Sequence, residues 1–252
     1  MNNSEIIDAV KQGMKNAAHD TYIMNFSSGG QINTEYVATV SIGQALLKSK
    51  TFRVDDEQIM FEYDTGQFIT STVPFSKKLT PGLMFSKHIV RIHANTSRTG
   101  RTGRIDIVLL GNNNGMPYPM CAIEVKGNSP QKPRLIEDIR RNLEYFKHTA
   151  NTGASKLGIA VNCAFESFNR KTSKKKYCIT TTERNIKISN VKNKYEKYIQ
   201  EIKNEIPTGV RYDIEVFSAS ETLLPPQATQ EDFEQLEDQI HLTLGILIKF
   251  ER

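Results

Sequence analysis

Three charged side chains interrupt two apolar runs of the chain: Asp106 within Arg104–Leu110, and Glu124 and Lys126 within Met120–Lys126. Both runs are rich in Ile, Val and Leu and read as β-strands. Gly111 to Pro119 between them is mostly turn chemistry, so the pair is expected to form a hairpin. Side chains at i and i+2 on a strand share a face, which groups Glu124 with Lys126 and turns Val125 away. If the hairpin is centred near Gly115, Asp106 lies directly opposite Glu124 and Arg104 faces Lys126. Two carboxylates within the ~5 Å of a cross-strand pair repel each other unless positive charge lies between them. A divalent cation such as magnesium answers that need, and it keeps coordination positions for a phosphate oxygen and an attacking water. The plainer alternative is an exposed edge hairpin in which Lys126 simply pairs with the acids. The apolar strands speak against it, because burying unpartnered charge is costly.

Positioning these residues falls to elements with clear periodicities. Ile6, Ile7, Val10, Met14 and Ala17 recur at helical spacing over Ser4 to Met24, and the turn Ser27-Ser28-Gly29-Gly30 closes that helix. Asn33 is an N-cap for a second helix running to about Lys48 on Val37, Val40, Leu46 and Leu47, with Ser41 and Gly43 interrupting its apolar stripe. Glu35 falls in its first turn, where the helix dipole favours an ionised carboxylate. Gln58–Tyr63 and His88–Ile92 read as strands. Pro133 opens a helix to about His148, carried by Leu135, Ile139, Leu143 and Phe146. Beyond it come a short buried strand at Leu157–Val161, a candidate strand at Lys176–Thr181, an amphipathic helix marked by Ile188, Val191, Tyr195, Tyr198 and Ile202, and a strand at Tyr212–Phe217. A helix from Thr229 to about His241 and a strand on Leu242, Leu244, Ile246, Ile248 and Phe250 complete the chain. The class is α/β, a central mixed β-sheet flanked by helices, expected as one domain over 1–252.

With 252 residues, 38% of them hydrophobic, 12 Phe and 9 Tyr, the chain is too apolar and aromatic to be disordered. No run approaches the ~18 apolar residues of a membrane span. Met1-Asn2-Asn3-Ser4-Glu5 lacks a basic and an apolar leader region, so the expected location is cytoplasmic. Cys121, Cys163 and Cys178 are odd in number and set among apolar neighbours, which predicts buried reduced thiols and no structural zinc. The net charge of +5 is unevenly spread: eleven Lys or Arg against three Glu between Arg170 and Asn204, then six acids and no Lys or Arg between Glu221 and His241. A basic stripe suits a polyanion, a solvated helix face being the alternative. Arg98, Arg101 and Arg104 recur at every third position in a glycine-containing stretch entering the Asp106 strand, which suits backbone phosphates. Lys174, Lys175 and Lys176 form a second basic candidate, and Arg141 on the Pro133 helix another. A solubilising loop is the alternative for the two basic runs. His88 and His93 read as structural histidines, and Tyr195 and Tyr198 as core residues.

Arg104-Ile105-Asp106-Ile107 followed by Ile123-Glu124-Val125-Lys126-Gly127 resembles the active-site signature of the PD-(D/E)XK nuclease superfamily, the restriction-endonuclease-like fold. The likeness covers roughly Asn33 to His148. Glu35, in Ile32-Asn33-Thr34-Glu35-Tyr36, matches the upstream helix glutamate that many members place beside the metal. Ile105 stands where the family name has proline, and Arg141 stands four residues before Tyr145, where the RecB-like exonuclease branch has glutamine. The resemblance implies a catalytic core of about 33–165 with a basic helical and C-terminal elaboration of about 166–252. It implies that Asp106, Glu124 and the Val125 carbonyl hold Mg2+ or Mn2+, that Glu35 binds a second cation or orients water, and that Lys126 positions or deprotonates water or stabilises transition-state charge. The activity it implies is metal-dependent phosphodiester hydrolysis, on DNA rather than RNA and by endonuclease rather than exonuclease cleavage. The setting is bacterial or phage restriction and defence, with a homodimer or a defence-complex partner. The alternatives are a catalytically inactive nucleic-acid-binding or assembly subunit of the same fold, and a protein-interaction domain with an incidental acidic hairpin.

Overall fold

The computed structural model describes residues 1–28, 32–73, 103–113, 116–150, 153–169, 180–225, 227, 229–236 and 239–252. The chain opens with two helices, α1 (Asn3–Ser28) and α2 (Thr34–Leu47), packed on one another. Gly13 sets their separation, since a Cβ there would lie 2.4 Å from the Ile42 Cα and 2.8 Å from its nitrogen. Gly13→Ala is therefore expected to push α1 off α2. The ~1 kcal/mol that alanine gains over glycine in helix propensity is outweighed, because overpacking against backbone costs ~1–3 kcal/mol and here the backbone itself must move. A lower denaturant midpoint at unchanged slope is the expected result.

There follow β1 (Glu57–Asp64), α3 (Thr65–Thr72), β2 (Arg104–Asn113), β3 (Met116–Asn128), α4 (Lys132–Lys147), a small hairpin of β4 (Thr149–Ala150) and β5 (Gly153–Ala154), and β6 (Ile159–Asn169). The remainder is α5 (Thr181–Glu201), a single 3-10 turn at Lys203–Glu205, β7 (Arg211–Thr222), α6 (Gln230–Leu236) and β8 (His241–Glu251). Six strands form one sheet in the order β1-β2-β3-β6-β8-β7. β3 and β6 run parallel and the other neighbours antiparallel, so the sheet is mixed, as the sequence patterning predicted. A parallel pair requires a crossover, and α4 supplies it. One face of the sheet is covered by α1 and α2 through Val10, Met14, Ala38 and Ile42 against Ile107, Ile123, Val125 and Val161. The other is covered by α4 and α5 through Leu135, Ile139, Tyr195 and Ile199 against Ala122, Ala160 and Ile246.

Several boundaries differ from expectation. The hairpin is longer than predicted: a bulge after Leu109 shifts the register and pairing continues from Leu110–Pro119 to Asn113–Met116. β6 joins β3 only from Cys121 onward, so Pro117 and Pro119 lie on an edge where a missing N–H costs no ladder bond. Gly111 is a strand residue lying under the Tyr118 ring, whose Cζ would stand 2.2 Å from an added Cβ. β6 and β7 likewise extend beyond the expected Leu157–Val161 and Tyr212–Phe217. Of the strand expected at Lys176–Thr181, residues 176–179 lie outside the described residues; Thr180 makes an isolated parallel bridge to Leu224, and it exchanges side-chain and backbone hydrogen bonds with Glu183 in a capping box that starts α5. α6 ends at Leu236, and His241 opens β8 rather than closing a helix. β8 lies between β6 and β7 and pairs with β6 over eleven rungs, so the C-terminal stretch is built into the sheet beside the expected core.

Cys121 and Cys163 are free, buried thiols, and burial pushes both pKa values up. Tyr195 is fully buried, and Tyr198 packs partly buried against the same cluster. Cys178, His88, His93 and the expected strand at His88–Ile92 lie outside the described residues, as do Arg98, Arg101, Lys174, Lys175 and Lys176. Among the described residues no helix is long and apolar enough to cross a membrane.

Candidate active site

The β2–β3 ladder runs Leu109–Cys121, Val108–Ala122, Ile107–Ile123, which is the register that sets Asp106 against Glu124. The strand pairing stops at that rung. In its place the Asp106 carboxylate accepts the Val125 N–H at 2.6 Å. On the other side, β1 pairs Phe61 with Ile107 and Tyr63 with Ile105, passing over Glu62, whose φ of 50° lies in the left-handed region rarely used by a non-glycine residue. Asp106 thus stands where β2 breaks from both neighbours, and its carboxylate is available because the strands part.

Glu124 is 2% exposed. Its Oε1 lies 3.3 Å from Arg141 Nε in an ion pair, yet accepts no hydrogen bond. Burial, reinforced by the Asp106 charge and opposed by Arg141, pushes the Glu124 pKa well above the ordinary glutamate value. Asp106 is shifted the same way: burial raises its pKa, the Val125 N–H and Lys126 oppose the rise, and Glu35 and Glu62 add to it.

Lys126 Nζ lies 3.1 Å from Asp138 Oδ2, 3.3 Å from the Val125 carbonyl and 3.6 Å from Glu35 Oε1. Burial alone would lower its pKa, but Asp138, Glu35 and Asp106 outweigh burial and hold it above the ordinary lysine value. The acids around it therefore favour the charged ammonium form.

Glu35 reaches this cluster from α2 as its N-cap predicts: the Asn33 side chain accepts the Glu35 N–H at 3.0 Å. Glu35, Glu62 and Asp106 line one cleft. Arg141, expected to meet phosphate, is turned inward. It pairs with Glu124 and Asp138 and donates to the Arg104 carbonyl at 3.4 Å. Arg104, expected to face Lys126, is exposed at the start of β2, opposite Asp64 of β1.

Two members of the cluster were not foreseen. Asp138, 5% exposed on α4, holds both Lys126 and Arg141. An acid on the stripe of Leu135, Ile139 and Asn142 was the available signal, since a buried helix face tolerates a carboxylate only beside cations. Glu62 carried no comparable signal, because its position depends on the local break in β1.

Glu35, Glu62, Asp106, Glu124 and Asp138 set five carboxylates against the two cations Lys126 and Arg141. A deficit of positive charge, hard oxygen donors and a buried carboxylate oxygen without a hydrogen bond suit a divalent cation. Among the described residues no three Asp, Glu, His or Cys side chains are arranged to hold a metal together. Asp106, Glu124 and the Val125 carbonyl, the donors the resemblance implies, would hold such an ion with waters completing its shell.

No protein-family model, curated protein or solved structure matches the chain. The chain is an α/β protein that gathers a buried glutamate, a half-buried aspartate and a lysine held by acids at a break in a mixed sheet.

Proposed function

We propose that the chain is a metal-dependent nuclease of the PD-(D/E)XK kind, hydrolysing phosphodiester bonds of DNA in preference to RNA and cutting internally. The observation that carries this reading is the meeting of Asp106, Glu124 and Lys126 at one strand break in a cluster short of positive charge. Mg2+ or Mn2+ held by Asp106, Glu124 and the Val125 carbonyl would supply Lewis acidity and a more acidic water. Lys126, kept protonated by Asp138 and Glu35, stabilises charge building on the phosphoryl oxygens. Asp138 positions that ammonium. Glu35, 3.6 Å from Lys126 on the cleft side, is placed to orient an attacking water. Bacterial or phage restriction and defence is the setting assigned, in the cytoplasm, with a second copy or a defence-complex partner.

The Arg141–Glu124 ion pair favours a second reading, a binding or assembly subunit in which a guanidinium replaces the metal. Supercoiled plasmid, linear duplex and RNA incubated with Mg2+, Mn2+ or EDTA separate the two. Nicking of plasmid with either metal and none in EDTA is expected. Binding without cleavage under all conditions would support the subunit, and neither binding nor cleavage would overturn both.

A further inference from the structure

α2 carries exposed apolar side chains beside the candidate site. Tyr36 is 71% exposed, Leu47 53% and Phe61, facing them from β1, 44%. With Val40 they wall a cleft of about 530 Å³ that ends at Asp106, Glu35 and Glu62. Gly43 seats the Phe61 ring, since a Cβ there would lie 2.2 Å from the ring's Cζ. Glycine weakens a helix interior, and at this position it admits an aromatic ring against the α2 backbone. Scattered exposed apolar side chains need no explanation, but a contiguous cleft joined to a charged site does.

We infer that this cleft receives one unstacked nucleobase of the nucleic acid whose phosphate lies at Asp106 and Lys126. The substrate is then a single strand, or a duplex with an unpaired base at the cut. The inference rests on the nuclease reading above and deepens it. The cleft has the volume of a small-ligand site and is too confined for a protein face. None of its lining residues is cationic, and its charged members are all acids, so the neutral base is the part of a nucleotide that fits. Aromatic rings such as Tyr36 and Phe61 stack on any base, while Gln44, Thr39 and Glu62 offer hydrogen-bonding groups to its edge. A base inside a duplex cannot reach such a cleft without leaving the stack.

The test uses the full chain with calcium in place of magnesium and three probes of one sequence, each carrying a single 2-aminopurine: a single strand, a blunt duplex and a duplex leaving that base unpaired. Binding is expected to quench the probe in the single strand and at the unpaired base, and the single strand is expected to bind more tightly than the blunt duplex. Tyr36→Ala and Phe61→Ala should each remove the quench and weaken single-strand binding by ~5- to 150-fold, the range of base–aromatic stacking. Phe61→Tyr should restore both readouts. Gly43→Ala, which displaces the ring without deleting it, should reproduce the loss. Tyr36 is exposed enough for its variant to fold whatever Phe61→Ala does. Equal affinity for single strand and blunt duplex, with no quench, overturns the base cleft. So does a changed molecular mass of the nucleic-acid-free Tyr36 and Phe61 variants by light scattering, which would make the cleft a contact between copies. If wild type cuts plasmid but is indifferent to both substitutions, the base cleft alone is lost. If it neither binds nor cuts any probe, the nuclease reading falls and this inference with it.

Discussion

Lys126→Met and Glu124→Gln are each expected to lower kcat for phosphodiester cleavage by at least ~10²–10³-fold, the cost of deleting one preorganised electrostatic group from an active site. Lys126 is held by Asp138, Glu35 and the Val125 carbonyl, so its charge needs no reorganisation as charge develops on the phosphate. Methionine keeps the stem and removes the charge. Glutamine at position 124 keeps the shape but loses the charge proposed to hold the metal, and folded stability should not suffer, because burial and Asp106 already disfavour that charge. The pH dependence follows from the same shifts. Asp106 and Glu124 retain protons above the ordinary carboxylate range, so a cation must displace them and apparent metal affinity should rise with pH through the raised range. Without metal the folded state binds more protons than the unfolded state between the ordinary and the raised pKa values. Stability therefore falls as pH rises through that window. Glu124→Gln should flatten the dependence in metal-free thermal melts. Wild-type cleavage rates in either purified variant would remove the nuclease assignment.

Asp138→Ala is expected to have the largest effect on stability, a loss of about 3 kcal/mol. Breaking a buried ion pair by removing one partner costs ~3–5 kcal/mol, and the lower end applies because the Lys126 and Arg141 side chains are 21% and 20% exposed. Asp138 neutralises both cations where α4 meets β3, so its removal leaves them facing each other at a crowded interface. Asp138→Asn, which keeps shape and hydrogen bonding without charge, should fall between wild type and alanine in urea unfolding. The double variant Asp138→Ala with Lys126→Met should lose less than the two single losses combined, because it also removes one stranded cation. Additive losses would show that Asp138 does not hold Lys126. Cleavage should fall with Asp138→Ala as well, through the displaced ammonium.

The features legible in the amino-acid sequence lie within short reach along the chain. The register that opposes Asp106 to Glu124 was readable because two Ile-, Val- and Leu-rich strands sit close together and strand alternation leaves few ways to pair them. The capping of α2 by Asn33, and with it the presence of Glu35 in the first turn, was readable because a cap spans only three residues. The α/β class followed from alternating periodicities, and β8 was recognisable as a strand from its own pattern. Its place between β6 and β7 was not, since strand order depends on which edges find each other across the molecule. The capping box at Thr180 and Glu183 is equally local, since its two residues stand three apart. Tertiary structure alone decided the company Lys126 keeps. Parallel pairing of β3 with β6 forces α4 across one face of the sheet, and that crossing selects the side of α4 carrying Asp138 and Arg141. Arg141, one of several exposed-looking arginines in the sequence, was thereby drawn onto Glu124, because a buried carboxylate needs a cation within reach and α4 supplied it.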